Sequence, residues 1–458
     1  MQSDRVVSII EKQRAAFNSG RTRSIAYRQE QLRKLYSCLQ QAEPDIMEAI
    51  SRDFYKPAHD TYMTEIGVLL TEIRHAIKHL PRWAKPERVP TTPLLLGSSS
   101  SMMYEPYGVT LIIAPWNYPL QLALSPLVGA LAAGNCAVLK PSELTPHTSA
   151  LLARLCKDTF AEDEVAVVEG GVEVSTELLE QPFDFIFFTG STAVGKIVAA
   201  AAARQLTPVV LELGGKSPTI VHADAQIELA AKRIVWGKFM NAGQTCVAPD
   251  YVLVHDSVRE AFVQAMRASI EELYGDVLQD RARYTSIVNE RHFNRLTRLL
   301  EGATPLIGGR VDEERRLIEP TVLADIQWDS KIMEDEIFGP ILPLMSYESL
   351  NEVIAPIVAR PKPLAMYVFS ESREVQQRLL DSISFGGGCI NDTIMHLSSP
   401  YLPFGGVGAS GVGAYHGCYS FKAFSHTKSV LKQTTAFDLP FRYGTMKHSM
   451  RWMKRFFK

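Results

Sequence analysis

The stretch DFIFFTGSTAVGKIVAAAAARQLTPVVLELGG, residues 184–215, decides the fold class of this chain. Its first part, DFIFFTG at 184–190, is a short apolar run that predicts a strand. STAVGKIVAAAAARQ at 191–205 predicts a helix, and TPVVLELGG at 207–215 predicts a second strand. Both strands are apolar without alternation, which is typical of a parallel sheet that is covered on both faces.

The same rhythm of strands and helices continues upstream of this stretch. Further strands are predicted at 108–115, 135–141 and 164–170, and helices at 119–133, 145–160 and 173–180. Repeated strand–helix units of this kind predict a doubly wound, Rossmann-like α/β domain with a parallel sheet.

The rest of the chain divides by composition. Residues up to about 83 carry apolar side chains at helical spacing, and a connector rich in Pro, Gly and Ser follows near residue 86. A second α/β stretch covers roughly 216 to 388, with apolar runs such as YVLVH and PLAMYVF. The chain from 389 onward is rich in glycine and ends in a basic tail.

Length, charge and cysteine content limit the function classes. The 458 residues exceed one simple core, 46% of them are hydrophobic, and the net charge of -2 gives no electrostatic case for nucleic acid. Six scattered cysteines without a CxxC pair favour a reducing compartment, and hence a cytoplasmic protein. The N-terminus lacks the apolar region of a secretory signal, and no apolar run is long enough to span a bilayer. No His, Cys or carboxylate spacing indicates a metal site.

Two loops in the first α/β part carry residues suited to a nicotinamide dinucleotide. GSTAVG, from Gly190 to Gly195, follows a predicted strand and opens a predicted helix, although Thr192 stands where the usual fingerprint has its middle glycine. Lys140 and Glu143 in KPSE also follow a strand, and both can bind ribose hydroxyls. On local evidence alone, an ordinary glycine turn is an equal alternative for the first loop. A solvated, helix-capping loop is the favoured interpretation of the second.

Cys246 differs from the other cysteines because NAGQTCVAP lies between a predicted helix and the strand YVLVH. A thiolate at such a junction can attack a carbonyl while its free backbone N–H binds the oxyanion. Glu212 ends an apolar strand, where burial would make it a useful base, and Asn117 in APWNYP can donate to the same oxyanion. An inert buried thiol, a carboxylate that caps the next element and a turn-forming asparagine are the structural alternatives.

Seven motifs occur in the order and spacing of the aldehyde dehydrogenase superfamily. They are APWNYP, KPSE, FTGSTAVG, ELGGKSP, NAGQTC, EIFGP and LPFGGVGASG, and together they cover nearly the whole chain. The chain resembles most the class 3 branch, the medium- and long-chain or aromatic aldehyde dehydrogenases. Its length, its short N-terminus and the strings GKFMNAGQTCVAPDY and FGGVGASGVGAYHG carry that resemblance.

The resemblance implies a role for each candidate residue. Cys246 resembles the nucleophile, Glu212 the base that activates water, and Asn117 the oxyanion donor that acts with the N–H of Cys246. The implied cofactor contacts are Lys140 and Glu143 at the adenosine ribose, Gly190, Ser191 and Gly195 in the cofactor loop, Glu336 at the nicotinamide ribose and Phe338 near the nicotinamide. The implied apolar substrate pocket contains Tyr118, Trp236, Met240 and Phe404, although plain core packing explains each of these equally well. We expect His416 to be a hydrogen-bonded structural histidine.

The implied reaction is the NAD(P)-dependent oxidation of an aliphatic or aromatic aldehyde to the carboxylic acid, through a thiohemiacetal and a thioester on Cys246. The implied fold has a doubly wound parallel-sheet cofactor domain, a second α/β catalytic domain and a small β oligomerisation arm, and class 3 membership implies a homodimer. We expect these divisions: 1–83, helical part of the cofactor domain; 84–106, connector and arm; 107–211, dinucleotide-binding domain; 212–388, catalytic domain; 389–424, return segment lining the active site; 425–441, arm; and 442–458, basic amphipathic tail.

Cofactor choice and the acyl acceptor leave alternatives. Glu143 should repel the 2′-phosphate of NADP while Lys140 partly offsets it, so we expect NAD to be preferred with measurable use of NADP. A CoA-acylating enzyme would pass the thioester to coenzyme A, but such relatives do not depend on a base at the position of Glu212. A non-catalytic scaffold of this fold would be expected to lack Cys246, Glu212 or Asn117, and all three are present.

The tail, residues 442–458, contains six Lys or Arg and no acidic residue. As a helix it would place Met446, Met450, Met453 and Phe457 on one face. Such a segment suits an anionic membrane surface, which predicts peripheral contact at the inner membrane. A helix docked on the protein itself, or a frayed basic end, is the alternative that the sequence alone favours.

Overall fold

The computed structural model describes residues 2–92 and 95–456. The helices are α1 Gln2–Asn18, α2 Ile25–Gln41, α3 Glu43–Phe54, α4 Ala58–Thr61, α5 Gly67–Trp83, α6 Gln121–Ala133, α7 Pro146–Thr159, α8 Val172–Leu179, α9 Thr192–Arg204, α10 Ile227–Phe239, α11 Arg259–Leu273, α12 Glu290–Thr297, α13 Leu350–Val358, α14 Arg373–Ser382, α15 Cys418–Ala423 and α16 Ser449–Phe456. The strands are β1 Glu87–Val89, β2 Ser98–Pro106, β3 Val109–Ile113, β4 Cys136–Lys140, β5 Val165–Val167, β6 Phe185–Thr189, β7 Val209–Glu212, β8 Pro218–Val221, β9 Tyr251–His255, β10 Pro305–Ile307, β11 Val311–Asp312, β12 Leu317–Ile318, β13 Thr321–Leu323, β14 Ile341–Tyr347, β15 Ala365–Phe369, β16 Gly387–Ile390, β17 Gly411–Val412 and β18 Ser425–Gln433.

The strands predicted upstream of residue 215 belong to one six-stranded sheet with the order β17-β7-β6-β3-β4-β5. Strands β3 to β7 are parallel, and each lies inside the range that the sequence predicts. The prediction of a doubly wound parallel sheet is therefore confirmed. The strand order reverses between β3 and β6, and the carboxyl ends of strands at such a reversal flank the crevice where ligands bind.

Both faces of this sheet are covered, as its uninterrupted apolar strands require. Adjacent residues of β6 point to opposite sides, so that Phe187 enters the large core with Leu124 of α6, whereas Ile186 enters a second core with Val198 of α9. Burial of each such side chain contributes about 1.5–3 kcal/mol to folding. The packing fixes the sheet between two helical layers and leaves its carboxyl edge as the place for chemistry.

The sixth strand of this sheet does not follow from the local sequence pattern. β17 comes from the glycine-rich segment and pairs antiparallel to β7, with Gly411 opposite Glu212. A Cβ atom on Gly411 would lie 2.5 Å from the carbonyl oxygen of Leu211, so glycine is needed for this close pairing. The pairing holds the glycine-rich segment beside the end of β7.

A second sheet follows in the chain and has seven strands in the order β10-β13-β14-β9-β8-β15-β16. The strands from β13 to β16 are parallel, and β10 pairs antiparallel at one edge. This sheet agrees with the expected second α/β unit. Cys246 lies shortly before β9, and Glu336 lies shortly before β14. Both residues are therefore at the amino ends of strands of this sheet.

A separate three-stranded sheet is formed by β1, β2 and β18. β18 pairs antiparallel with β2 along nine residues, from Ser425 opposite Pro106 to Gln433 opposite Ser98. The connector after α5 and the chain near residue 430 thus form one ribbon, and β18 is one of its two edge strands.

The tail contains the short helix α16, and the described helices include none that is long and apolar enough to cross a bilayer. Met446 precedes the first residue of α16, so the expected helical face that begins at Met446 is wrong at this position. The helix starts only at Ser449 because the turn before it includes His448, whose φ is 66°. Phe457, the last residue of the expected face, lies outside the described residues.

Candidate active site

Asn117 lies just beyond the carboxyl end of β3, one of the two strands at the reversal of the first sheet. Its side chain is buried, and Nδ2 donates a hydrogen bond to the carbonyl oxygen of Gln244 at 3.1 Å. In return, Nδ2 of Asn241 donates to the carbonyl oxygen of Asn117 at 3.0 Å. The turn after β3 is therefore tied to the segment that carries Cys246.

The backbone before Cys246 follows an unusual path. Asn241, Ala242 and Gly243 have φ angles of 55°, 52° and 70°, so three consecutive residues are left-handed. Left-handed non-glycine residues cost about 1–3 kcal/mol each and persist where the surroundings fix them, often at functional sites. A Cβ on Gly243 would lie 2.3 Å from the carbonyl oxygen of Gly339, which explains the glycine there.

Gln244 is the buried residue that holds this strained loop. Its Nε2 donates to the carbonyl oxygens of Asn241 and Ser286, both at 3.1 Å. Its Oε1 accepts the backbone N–H of Val288 at 3.0 Å. With every polar atom of the side chain satisfied, the loop is rigidly placed for the cysteine two residues later.

The thiol of Cys246 is partly buried and faces its own backbone N–H and that of Val247. Burial raises the pKa of this thiol, and the nearby carboxyl groups of Glu336 and Glu212 raise it further. In the described part of the chain, no carbonyl accepts the N–H of Cys246. Burial thus favours the neutral form of the thiol, and the N–H of Cys246 is available to a bound oxygen.

Glu212 is the last residue of β7 and is almost fully buried, at 2% exposure. Neither carboxyl oxygen has a hydrogen-bond partner among the described residues. Burial alone raises its pKa well above the ordinary value. Its backbone is fixed because the N–H of Gly190 donates to its carbonyl oxygen at 3.0 Å and β17 pairs with it on the other side. A fixed carboxyl without partners near a thiol suits a base that acts on water.

Glu336 lies on a loop that closes over the same region. Its carboxyl group accepts the backbone N–H of Gly215, and burial raises its pKa to about 8, with Asp250 adding to the rise. Lys216 anchors the loop, since Nζ contacts Oδ2 of Asp250 at 2.5 Å and the carbonyl oxygen of Ile332 at 2.9 Å. The Glu336 loop is thus anchored to the segment directly after β7.

Phe338 lies two residues after Glu336 in the same loop and contacts Trp116, the neighbour of Asn117. The two rings meet edge to face at 5.4 Å between centroids, and His292 packs on Trp116 at 5.0 Å. Burial lowers the pKa of His292 to about 4, so its ring is neutral near pH 7. The structure therefore brings Phe338 to the same crevice as Asn117.

The glycine-rich hexad lies where β6 ends and α9 begins. Ser191 is the N-cap, and its Oγ accepts the N–H of Val194 at 3.4 Å. A Cβ on Gly190 would lie 2.5 Å from the ring of Phe188, and one on Gly195 would lie 2.5 Å from Leu213. Both glycines therefore permit close packing, and the first turn of α9 is left open at its solvent side, where Val194 is 44% exposed. An open helix N-terminus at the reversal of the sheet fits the pyrophosphate of a dinucleotide.

Lys140 is the last residue of β4, the neighbour of β3 in the sheet, and Glu143 follows three residues later. Nζ of Lys140 is 2.8 Å from Oε2 of Glu143, and the lysine is buried whereas the glutamate is exposed. Burial opposes ionisation of Glu143, but the hydrogen bond from Lys140, a backbone hydrogen bond and the charge of Lys140 together outweigh it and lower the pKa. Both groups stand at the carboxyl edge of the sheet and fit the ribose hydroxyls of a dinucleotide bound at α9.

The four expected pocket residues are placed less uniformly. The hydroxyl of Tyr118 shares a 2.5 Å hydrogen bond with Oγ1 of Thr245, directly beside Cys246. Trp236 and Met240 lie one turn apart at the end of α10, where the N–H of Met240 donates to the carbonyl oxygen of Trp236. Phe404 is buried against aromatic rings. Tyr118 is therefore tied to the cysteine loop by a direct bond, while the pocket role of the other three stays a prediction.

Sequence reasoning did not include Tyr415 in the site. Burial raises its pKa well above the ordinary value, and the charges of Glu212 and Cys246 contribute, which places the phenol close to both.

The ring of His416 stacks on Phe404 at 5.4 Å, and its backbone N–H donates to Oγ of Ser420 at 2.8 Å. Burial lowers the pKa of His416 to about 4. These contacts support a structural histidine, although they involve its ring face and backbone rather than a ring hydrogen bond.

Comparisons with known proteins agree with this geometry. Residues 1–430 match the model of the aldehyde dehydrogenase family. The chain is 50% identical to 4,4'-diaponeurosporen-aldehyde dehydrogenase of Staphylococcus aureus, over 97% of both chains. It is 46% identical to aldehyde dehydrogenase family 3 member A2 of Rattus norvegicus, over 92% of this chain and 87% of that one.

A further rat relative and a solved structure extend the comparison. The rat protein called aldehyde dehydrogenase, dimeric NADP-preferring, is 46% identical over 92% of this chain and 93% of its own length. The solved structure described as the substrate-bound state of Staphylococcus aureus AldH has a TM-score of 0.96, with 48% identity over 99% of each chain. The likeness therefore covers both α/β sheets and the ribbon.

Proposed function

This chain belongs to the aldehyde dehydrogenase family, and from that membership we infer that its NAD(P)-dependent oxidation of aldehydes to carboxylic acids proceeds through a thioester on Cys246. The observation that carries this proposal is the buried carboxyl group of Glu212, which has no partner among the described residues and lies close enough to Cys246 to raise the pKa of its thiol. A carboxyl group left unpaired beside a thiol is costly for a structure alone and useful for activating water.

In the first step, Cys246 loses its proton and its sulfur adds to the aldehyde carbonyl. That proton passes to solvent water, and Glu212 is kept for the hydrolysis that follows. The new oxyanion is bound by the backbone N–H of Cys246 and by Asn117. The Asn117 amide has two N–H groups, and only one of them is used by Gln244, so the second is available to the oxyanion.

The next steps turn the thiohemiacetal into the acid. A bound nicotinamide supplies the acceptor for the hydride that the substrate carbon must lose. Glu212 then takes a proton from water, and the resulting hydroxide attacks the thioester on Cys246. The same two N–H donors stabilise the second oxyanion, after which the carbon–sulfur bond breaks, the acid leaves, and the Cys246 sulfur regains a proton from Glu212.

For the cofactor, we assign its adenosine ribose to Lys140 and Glu143 and its pyrophosphate to the loop of Gly190, Ser191 and Gly195. Glu336 would hold the nicotinamide ribose, and Phe338 would pack near the nicotinamide. The open first turn of α9 and the closely packed glycines support this assignment. The exposed carboxylate of Glu143 favours NAD over NADP by charge repulsion, although a related rat enzyme is named NADP-preferring.

The substrate proposed is an aliphatic or aromatic aldehyde, because the candidate pocket residues Tyr118, Trp236, Met240 and Phe404 are apolar or amphipathic. Tyr118 supports this most directly, since its ring stands beside Thr245 and Cys246. The 4,4'-diaponeurosporen-aldehyde in the name of the bacterial relative is the first specific compound to assay.

We further propose a homodimer that uses the ribbon of β1, β2 and β18. The edge strand β18 has exposed side chains such as Leu431, and β16 is an edge strand of the seven-stranded sheet. Unpaired edges of this kind are normally covered in stable proteins, and a second copy of the chain can cover both. The rat relative described as dimeric supports this assembly.

The basic tail, residues 442–458, is proposed to make peripheral contact with an anionic membrane. α16 exposes Met450 and Trp452 to solvent, at 65% and 43%, and contains no acidic residue. Apolar side chains flanked by basic ones suit the boundary between lipid headgroups and acyl chains.

The reaction is tested by supplying the purified protein with an apolar aldehyde and NAD, without coenzyme A. Equal amounts of NADH and carboxylic acid are expected, and Cys246→Ala should abolish turnover while it leaves NAD affinity close to that of the wild type. A requirement for coenzyme A would replace the proposed hydrolysis by acyl transfer. Turnover by Cys246→Ala would remove the proposed nucleophile.

A further inference from the structure

A fully buried ion pair lies behind the candidate active site, between Lys56 and Glu65. Nζ of Lys56 is 2.9 Å from Oε1 of Glu65, and neither side chain is exposed to solvent. Apolar residues of similar volume often stabilise a core as well as a buried ion pair does. The pair is therefore poorly explained by stability alone, and its directional contacts show what it positions.

The second oxygen of Glu65 is bound to the start of α6. Oε2 accepts the backbone N–H groups of Leu120 and Gln121 at 3.0 and 3.2 Å. Leu120 is the N-cap of α6, but its side chain makes no capping hydrogen bond, so Glu65 supplies the cap from a distant segment. Because Asn117 precedes Leu120 by three residues, this cap also limits where the Asn117 turn can lie.

The local structure around Glu65 is adapted to this reach. Glu65 lies in a π-helical turn, Tyr62–Ile66, between α4 and α5. A π-turn places an extra residue in the helix and occurs frequently at functional sites. Lys56 approaches from the loop between α3 and α4, so two segments of the N-terminal helical part converge on one point.

Lys56 makes the contact that leads to the cysteine. Its ammonium group lies 4.1 Å from the ring centroid of Tyr118, within the range of a cation–π interaction. The hydroxyl of Tyr118 in turn shares a 2.5 Å hydrogen bond with Oγ1 of Thr245. Tyr118 directly follows Asn117 in the chain, and Thr245 directly precedes Cys246. The contacts from the ion pair therefore reach both the oxyanion donor and the nucleophile.

We propose that Lys56 and Glu65 are positioning residues that fix Asn117 and Cys246 relative to each other. The proposal rests on the assigned roles of those two residues. An oxyanion is stabilised only if both N–H donors lie about 3 Å from one point, and a displacement of about 1 Å can cost about 100-fold in rate. Glu65 fixes the Asn117 side through α6, and Lys56 fixes the Cys246 side through Tyr118 and Thr245.

Asp53 provides a matched control. It also lies in the N-terminal helices, and it caps α7, a helix that packs against the first sheet. Its Oδ1 accepts the N–H of His147 at 3.0 Å and its Oδ2 that of Thr148 at 2.8 Å, at the start of α7. Like Glu65 it is buried. Asp53→Asn therefore removes a comparable cap that does not lead to Asn117 or Cys246.

The test compares Glu65→Gln with Asp53→Asn in three measurements: thermal stability, kcat/KM for an aldehyde, and the alkylation rate of Cys246 by iodoacetamide. Alkylation of the Cys246→Ala protein is subtracted to remove the other cysteines. Both variants are expected to lose stability. Glu65→Gln should lower kcat/KM by about 10- to 100-fold and change the alkylation rate, with NAD affinity retained, whereas Asp53→Asn should alkylate at the wild-type rate.

A milder variant, Tyr118→Phe, keeps the proposal falsifiable if Glu65→Gln does not fold. It should lower kcat/KM in a folded protein, and its effect should combine non-additively with that of Glu65→Gln because both changes disturb the same relative placement of Asn117 and Cys246. Wild-type alkylation and kcat/KM in Glu65→Gln or in Tyr118→Phe would overturn the positioning role. Turnover by Cys246→Ala would instead refute the proposed function, so the two failures are distinguishable.

Discussion

The carboxyl group of Glu336 lies so close to Gly214 that a Cβ atom on this glycine would come within 2.0 Å of Oε2. The loop that carries Glu336 thus contacts the backbone just after β7, and no other side chain lies between the carboxyl group and Gly214. A methyl group at position 214 must therefore displace the carboxyl group that we assign to the nicotinamide ribose.

Gly214→Ala is expected to weaken cofactor binding and to lower kcat, because Glu336 can no longer reach its place. A loss of about 10-fold or more in kcat/KM for NAD is expected from a displacement of this size. Gly171→Ala is the control, since a Cβ there meets only the flexible carboxylate of Glu173, at 3.1 Å. Wild-type NAD kinetics in Gly214→Ala would contradict the assignment of Glu336.

Glu212→Gln is expected to separate the two halves of the reaction. The amide cannot take a proton from water, so hydrolysis of the thioester should slow by about 100- to 10,000-fold. The first turnover still forms NADH, since the attack by Cys246 and the loss of hydride need no activated water. Stopped-flow absorbance should show a burst of NADH close to one per site, followed by a slow steady state. Loss of the burst together with turnover would mean that Glu212 is also needed before hydrolysis.

The same residue predicts a pH dependence of stability. Burial raises the pKa of Glu212 in the folded protein above that of the unfolded chain, so the folded state holds a proton that the unfolded state has released. Its contribution to stability is present below the unfolded pKa of about 4.3 and is lost as pH rises to the folded value. Each unit of difference between the two pKa values corresponds to about 1.4 kcal/mol.

Glu212→Gln removes this loss, so its Tm relative to the wild type should increase as pH rises from about 4.3, the unfolded pKa, toward the raised folded pKa. Differential scanning fluorimetry of the ligand-free proteins measures the difference. The rise in pKa of Glu336 to about 8 also affects this range, but it is common to both proteins and largely cancels. Glu301→Gln, at an exposed turn, should show no such trend. A constant Tm difference across the range would argue against a buried, protonated Glu212.

Much of this arrangement follows from local sequence. β6 and β7 are predictable because DFIFFT and VVLE are apolar runs that end close to glycine. A polar residue at the carboxyl end of such a strand lies at the edge of a parallel sheet where ligands bind. The sequence alone therefore places Asn117, Glu212 and Gly190 near one another. The family motifs add Cys246 and Glu336. These two residues lie at the amino ends of the second sheet, so the rule that ligands bind at the carboxyl ends of parallel strands does not predict them.

Other parts depend on packing between distant segments and carry no local signal. β17 has two residues, one of them glycine, and becomes a strand only because β7 offers it an edge. Lys56 and Glu65 are charged residues in a helical region, where solvent exposure is the ordinary expectation, yet both are buried. The burial of Tyr415 beside Glu212 likewise depends on the return of the glycine-rich segment to the first sheet.

Glu143→Gln is expected to shift cofactor preference toward NADP. The change removes the negative charge that would face the 2′-phosphate and frees Lys140 from its 2.8 Å ion pair. The ratio of kcat/KM for NADP to that for NAD should rise about 10-fold, which corresponds to about 1.4 kcal/mol. Glu169→Gln, at an exposed carboxylate beyond β5, is the control for a general change of charge. A ratio that stays at the wild-type value would move the ribose site away from Glu143.

The tail predicts binding to anionic vesicles, measured by co-sedimentation of the full chain and of a chain that ends at Leu439. The tail carries six Lys or Arg, and each contributes about 1 kcal/mol near an anionic surface at low salt. The full chain should pellet with phosphatidylglycerol vesicles, pellet less with phosphatidylcholine vesicles, and lose most binding at high salt. The shortened chain should remain in the supernatant and keep its aldehyde kinetics, because α16 packs mainly on the preceding turn, Pro440–Tyr443. Equal pelleting of the two chains would remove membrane contact from the function of the tail, whereas binding that persists at high salt would point to insertion of Met450 and Trp452 as the dominant contact.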